Sequence, residues 1–192
     1  MISAIILAAG ESKRMGQPKM LMPWGKSTVI QTVISVFQAA GVDDILVVTG
    51  GARKQVEALI GRSVQTIFNE KFAQGEMLSS VQAGLAAKKH EASAALICLG
   101  DQPQVQARTV QRILQEYKEN RTPIIVPSYQ MHRGHPWLVA REMWGEMLKM
   151  RPPETPREFL IRHAKIIRYI EFDSPAILQD IDTPEDYLQS KP

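Results

Sequence analysis

Ile5-Ile6-Leu7-Ala8-Ala9-Gly10-Glu11-Ser12-Lys13-Arg14-Met15-Gly16-Gln17-Pro18-Lys19 is the stretch whose reading decides the fold. A run of branched and small apolar residues passes directly into a loop holding two glycines and three cations. The uninterrupted apolar run suits a strand buried on both faces, as in a parallel sheet. Gly10 and Gly16 allow backbone conformations that a side chain would forbid, so amide N–H groups can approach a polyphosphate. Arg14 can fork onto phosphate oxygens, and Lys19 can act on them as a point charge. A solvated loop with incidental basic residues fits the same spacing equally well. Two familiar phosphate loops do not fit. The dinucleotide fingerprint lacks its glycines, and Gly25-Lys26-Ser27 has Met20 where a Walker A loop needs its first glycine.

Outward from this stretch the pattern repeats. Apolar runs at Ile45–Val48, Val64–Phe68, Ala94–Leu99 and Pro123–Val126 alternate with amphipathic segments at Thr28–Ala40, Arg53–Ile60, Leu78–Ala87 and Arg108–Lys118. Strand-helix alternation predicts a three-layer, Rossmann-like α/β domain with a mostly parallel, mixed central sheet, its strands buried on both faces. After Pro127 the alternation loosens. An extended segment at Trp137–Ala140, helices near Glu142–Lys149 and Arg157–His163, and a strand at Ile166–Phe172 follow. Thr183-Pro184-Glu185-Asp186 then reads as a capping box with proline at the first helical position. The expectation is one domain over residues 1–192, with a ligand-binding part to about residue 127 and a second part over 128–192.

The chain has 192 residues with 23 Lys plus Arg against 20 Asp plus Glu, a balance of only +3 and spread along its length. That leaves nucleic acid without a basic patch to hold it, while a small anionic ligand suits the same charge. The single Cys98 excludes an internal disulfide framework and suits a reducing, cytoplasmic setting. No apolar run is long enough to cross a bilayer, so no membrane partner is expected. Ile2–Ala9 lacks the basic flank of a signal peptide and reads as a first strand.

In open α/β sheets ligands gather beyond the carboxyl ends of the strands, so chemistry belongs in the loops there. Asp101, in Gly100-Asp101-Gln102-Pro103, stands past a buried strand, where a carboxylate can hold Mg²⁺ beside phosphate oxygens or can simply shape a turn. Asp182 precedes a helix and could serve its N-terminus or a metal. Gly75 to Ser80 open another helix, where capping and ligand binding are both available to the serines. Thr49-Gly50-Gly51 can offer backbone groups to a ligand. His132 and His135 lack the further ligands a zinc site needs, and His135 reads as a substrate contact or a structural hydrogen bonder. Cys98, inside a strand, reads as an inert buried thiol.

The segment L-A-A-G-x-S-x-R-M-G-x-x-K closely resembles the signature of the MobA-like nucleotidyltransferases, relatives of the molybdenum cofactor guanylyl- and cytidylyltransferases. Gly-Asp-x-Pro at residues 100–103, Gly-His-Pro at 134–136 and Asp-x-Asp-Thr-Pro at 180–184 are similar to further motifs of that family, in the same order. The resemblance implies a nucleotidyltransferase fold. It also implies a nucleotide site at Leu7, Ala8, Ala9, Gly10, Ser12, Arg14, Gly16, Lys19, Thr49, Gly75 and Ser80. Arg14, Lys19 and Asp101 would carry catalysis, Asp101 and Asp182 would hold Mg²⁺, and Gly134, His135 and Pro136 would face the acceptor. Ala-Ala-Gly, where guanylyltransferases carry Ala-Gly-Gly, looks most like the cytidylyltransferase branch, and the Ala9 methyl would narrow a base pocket against a purine. The partners so implied are CTP, molybdopterin and an apo molybdenum hydroxylase of the xanthine dehydrogenase type. The competing expectations are transfer to another phosphorylated acceptor, such as a sugar 1-phosphate, and a carrier without catalysis.

Overall fold

The computed structural model describes every residue except Ser63, Gly75, Glu76 and Glu91. The strands are β1 (Ile2–Ala8), β2 (Pro23–Trp24), β3 (Ser27–Thr28), β4 (Asp44–Thr49), β5 (Gln65–Phe68), β6 (Ala94–Leu99), β7 (Ile124–Tyr129), β8 (His132–Arg133), β9 (Trp137–Ala140) and β10 (Ile167–Glu171). The helices are α1 (Val29–Ala39), α2 (Arg53–Ile60), α3 (Met77–Lys88), α4 (Ala107–Asn120), α5 (Arg141–Lys149), α6 (Pro156–Arg162) and α7 (Pro184–Ser190). The central sheet runs β10-β7-β9-β6-β1-β4-β5, with β8 added to β7, while β2 and β3 form a separate ribbon. Neighbours are parallel except where β9 runs antiparallel between β6 and β7 and where β8 folds back on β7.

Alternation along β1 shows why three layers form. Ala4, Ile6 and Ala8 point to one face, where Ile30, Val33 and Phe37 of α1, Val56 of α2 and Ile113 of α4 pack. Ile5 and Leu7 point to the other, against Val81 and Leu85 of α3, Trp144 of α5 and Phe159 of α6. Helix α3 lies unusually close to the sheet. A Cβ on Gly84 would come within 2.3 Å of the Ile5 side chain, so only glycine fits there. Each wholly buried Leu, Ile or Phe contributes about 1.5–3 kcal/mol of transfer free energy.

Three expectations need adjustment. The run Val64–Phe68 is not buried on both faces: β5 is an edge strand paired only with β4, and Gln65 and Thr66 are exposed. Polar side chains suit such an edge strand. The strand expected to end at Val126 continues through Pro127 to Tyr129. Proline is tolerated because β9 pairs only with Ile124 and Ile125, so Pro127 lies beyond that pairing. The segment 137–140, expected only as extended, is a central strand.

Parallel register aligns the strand ends that matter. Leu7 lies beside Val48 on β4 and Leu99 on β6, and Thr49 lies beside Phe68 on β5. The loops after β1, β4, β5 and β6 therefore share one edge.

Candidate active site

The glycine loop is built differently from its glycine spacing. Gly16 has φ 68° and uses its freedom, whereas Gly10 has no positive φ and open space around it. The second left-handed residue is Ser12, with φ 54°. Its Oγ accepts the Lys19 backbone N–H at 3.1 Å, which ties one end of the loop to the other. Met15 and Met20 are buried and anchor the loop. Beneath it, a Cβ on Gly100 would lie 2.9 Å from the Leu7 carbonyl and 3.0 Å from the Met20 sulfur. Glycine at that position lets β1, the loop and β6 converge, so Asp101 emerges next to Lys19.

The C-terminal segment is pinned to the same place. Ile181 is fully buried among Met15, Met22, Trp24 and Val29, and its N–H donates to the Asp101 carbonyl at 3.0 Å. With Ile181 inside, its flanking carboxylates stay at the edge. The capping box forms as expected. Asp186 accepts the N–H groups of Asp182 (3.2 Å) and Thr183 (2.8 Å), and Thr183 Oγ1 accepts that of Asp186 (3.2 Å). Asp186 thus serves the helix terminus, and the Asp182 side chain is released from that role.

The ammonium of Lys19 donates to Asp101 and, at 3.1 Å, to Asp182. Arg14 reaches the other Asp182 oxygen at 2.9 Å. Burial acts to lower the Lys19 pKa, but Asp101 and then Asp182 outweigh it and hold the amine above its ordinary value. The sequence reading did not single out Asp180 and Gln102 as a pair. Gln102 donates to Asp180 at 2.6 Å, and burial, followed by the charge of Asp101, raises that carboxyl to about 6.

Two carboxylates from distant parts of the chain already share one cation. Hard oxygen donors of this kind fit Mg²⁺ or Mn²⁺, which take the rest of their shell from phosphate and water. Among the described residues no cluster offers three His, Cys, Asp or Glu ligands, so such an ion would depend on oxygens from a ligand.

Beside this cluster lies a cleft of about 250 Å³ lined by Leu7, Ala9, Gly10, Lys19, Ser80 and Asp101, with Phe72 and Met77 as apolar walls. Ser80 accepts a hydrogen bond from buried Asn69 at 3.0 Å. Sequence reasoning missed Asn69, whose one signal was an amide just past a strand. Thr49 does not line the cleft: it is wholly buried and its hydroxyl is spent on the Ile67 carbonyl at 3.2 Å. Its neighbour Gly50 instead presses on the loop, where a Cβ would fall 2.2 Å from the Ala9 carbonyl. Gly75 lies outside the described residues.

A second cleft, of about 1000 Å³, is walled by His132, Arg133, His135, Trp137, Arg157 and Leu160, and shares Met77 with the first. Gly134 is held against residue 177, where a Cβ would meet the Ile177 carbonyl at 2.5 Å. The same carbonyl accepts the His135 N–H at 3.0 Å. The imidazole stacks on Trp137 with centroids 4.4 Å apart, and its buried Nε2 has no hydrogen-bond partner among the described residues. Burial lowers its pKa to about 3, so the ring is neutral. Pro136 faces away, into a small void with Leu99 and Gln102. Cys98 is buried and free, and burial raises its pKa, as suits an inert thiol.

The model of the MobA-like NTP transferase domain matches residues 4–166. Molybdenum cofactor cytidylyltransferase of Escherichia coli is 29% identical over 99% of this chain and 95% of its own. The structure of Rv0371c from Mycobacterium tuberculosis is 29% identical, with a TM-score of 0.84 over 98% of this chain and 96% of that one. That protein has also been solved in complex with manganese (28% identity, TM-score 0.78, covering 98% and 96%). A nucleotidyl transferase from Methanothermobacter superposes with a TM-score of 0.83 at 25% identity, over 100% and 96% of the two chains. The chain belongs to the MobA-like NTP transferase family and is a nucleotidyltransferase.

Proposed function

We propose that the protein transfers CMP from CTP to the terminal phosphate of molybdenum-loaded molybdopterin, releasing pyrophosphate and forming the cytosine dinucleotide cofactor. The observation that carries this reading is the meeting of Lys19, Arg14, Asp101 and Asp182 beside the 250 Å³ cleft. The loop from Gly10 to Gly16 and the side chains of Arg14 and Lys19 hold the triphosphate, while Leu7, Ala9 and Ser80 border the nucleoside and Ala8, buried against the helices of the other face, only supports them. Asp101 and Asp182 hold Mg²⁺, which when bound neutralises charge on the triphosphate. The acceptor's phosphate oxygen bonds to the α-phosphorus as the bond to the bridging β-phosphate oxygen breaks, and pyrophosphate leaves with that electron pair. No general base is required, because the acceptor phosphate is already ionised at neutral pH. Positioning and charge neutralisation supply the rate.

The second cleft suits the acceptor. It carries Arg133 and Arg157, two cations suited to a phosphorylated acceptor. Residues up to about 127 thus serve the nucleotide and 128–192 the acceptor, except that Asp182 returns to the nucleotide side. The relative named for cytidylyl transfer to molybdenum cofactor, together with Ala9 in the cleft wall, supports the choice of CTP. A molybdenum hydroxylase apo-protein is the recipient this product calls for.

The test is pyrophosphate release with Mg²⁺ and molybdenum-loaded molybdopterin across CTP, GTP and ATP. CTP is expected to dominate, and Asp101→Ala is expected to lose about a hundredfold or more in kcat. Preference for GTP would overturn the cytidylyl assignment, and full activity of folded Asp101→Ala would overturn the site.

A further inference from the structure

We infer that Lys19 is an internal substitute for the metal, so that the divalent cation and the nucleotide each bind more tightly when the other is present. The inference rests on the functional reading above and extends it to how the site is loaded. The Lys19 side chain is 11% exposed, and those of Asp101 and Asp182 are 16% and 33% exposed. Its ammonium touches both carboxylates, and Arg14 takes the remaining oxygen of Asp182. In the resting site Asp101 and Asp182 are therefore held by the same two cations that would otherwise face phosphate, while the neighbouring Asp180 accepts from Gln102.

Each ligand alone meets an electrostatic penalty. A divalent ion arriving by itself must displace Lys19, leaving a partly buried ammonium beside a doubly charged ion with no anion to receive it. A triphosphate arriving by itself draws Lys19 and Arg14 away and leaves Asp101 and Asp182 facing its own negative charge. When both arrive, Lys19 and Arg14 turn to the phosphates as the ion takes their place between the carboxylates. The ion and the two side-chain cations together then offset most of the negative charge of the phosphates and the two carboxylates. By linkage, the factor by which nucleotide strengthens metal binding equals the factor by which metal strengthens nucleotide binding. The Lys19 backbone does not need to move in this exchange, because its N–H stays on Ser12 while the flexible side chain swings.

The experiment is Mn²⁺ binding followed by electron paramagnetic resonance, with and without CTP, on the wild type and on Lys19→Met and Lys19→Arg. In the nucleotide-free protein, Lys19→Met is expected to bind Mn²⁺ at least about fivefold more tightly than wild type, the low end of ordinary site–site coupling. Lys19→Arg, which keeps the internal cation, should bind it as weakly as wild type. Its parallel behaviour controls for a general disturbance of the loop. Unchanged, weaker or undetectable Mn²⁺ binding by Lys19→Met overturns the inference, as does a gain shared equally by Lys19→Arg. A wild type that binds no Mn²⁺ even with CTP present would instead overturn the functional reading itself.

Discussion

Two lysine–aspartate clusters sit at opposite ends of the same sheet, and they are built to opposite specifications. At the amino ends of the strands, Lys88 from the last turn of α3 donates to Asp44 at 2.6 Å and to Gln65 at 2.7 Å, and Ser3 donates to the other Asp44 oxygen. Lys88 is 1% exposed, and β1, β4, β5 and α3 each supply one member. At the carboxyl ends, Lys19 lies on Asp101 and Asp182 in a site open to a cleft, and Asp182 is shared with the exposed Arg14. In the first cluster the lysine is buried and each member stands on regular secondary structure, so its partners are fixed by the packing of the sheet. The second is assembled from loops and a C-terminal segment, where partners can be exchanged without disturbing the core. The same chemical pair thus fastens three strands and a helix at one end and handles ligand charge at the other.

The largest expected effects come from crossing the two. Lys88→Met leaves a buried carboxylate uncompensated, which costs about 3–5 kcal/mol. The melting temperature should fall on the order of 10 °C, with kcat of the folded protein unchanged. Lys19→Ala should do the reverse, lowering kcat by about 10²–10³-fold while the melting temperature moves by only a few degrees. Thermal melts and turnover of both variants break the comparison if Lys88→Met loses activity or Lys19→Ala loses the fold.

Ile181→Ala tests what holds the open cluster together. It should cost about 2–3 kcal/mol in a urea titration. It should also weaken Mn²⁺ binding in the presence of CTP, because Ile181 carries Asp182 to Lys19. Full retention of that binding would show that Asp182 is placed by its capping box alone.

The smallest effect concerns His135, whose buried Nε2 has no hydrogen-bond partner among the described residues, whereas Lys88 donates to Asp44 and Gln65. The folded imidazole is held near 3, against about 6.5 in an unfolded chain. Between these values the unfolded state binds the additional proton, so the contribution is fully present above about 6.5 and is lost as the pH falls through that window. His135→Gln should flatten this part of the slope when urea midpoints at pH 5 and 7.5 are compared. An unchanged slope would mean that the imidazole titrates freely in the native protein.

Much of this architecture was legible in the sequence because local signals agreed with one another. The runs 94–99 and 137–140 and the helix at 53–60 occupy the bounds their patterns suggested, and the Thr183 capping box forms as written. Legibility ended where a residue's role depends on what lies across the fold. Gly10 and Gly16 look alike in sequence, yet only Gly16 uses positive φ, and Ser12 takes the second left-handed position. Thr49 and Ser80 are both hydroxyl residues at strand or helix ends near the edge. One is sealed against Ile67, and the other opens onto the cleft. Val64–Phe68 reads as a strand, but nothing in it announces that it will be the last one in the sheet.

By itself the sequence determined the alternation of strands and helices, the loops that would lie at the carboxyl ends, and the motifs that mark the family. Those follow from periodicity, turn chemistry and short spacings, which act within a few residues. Only the tertiary structure decided that Lys19 would bridge Asp101 and Asp182, which lie 82 and 163 positions away. It also decided that Lys88 would be buried and Lys19 left beside a cleft, and that His135 Nε2 would be buried with no partner among the described residues. Burial and charge pairing depend on which segments the packed sheet brings together, and no local pattern encodes that meeting.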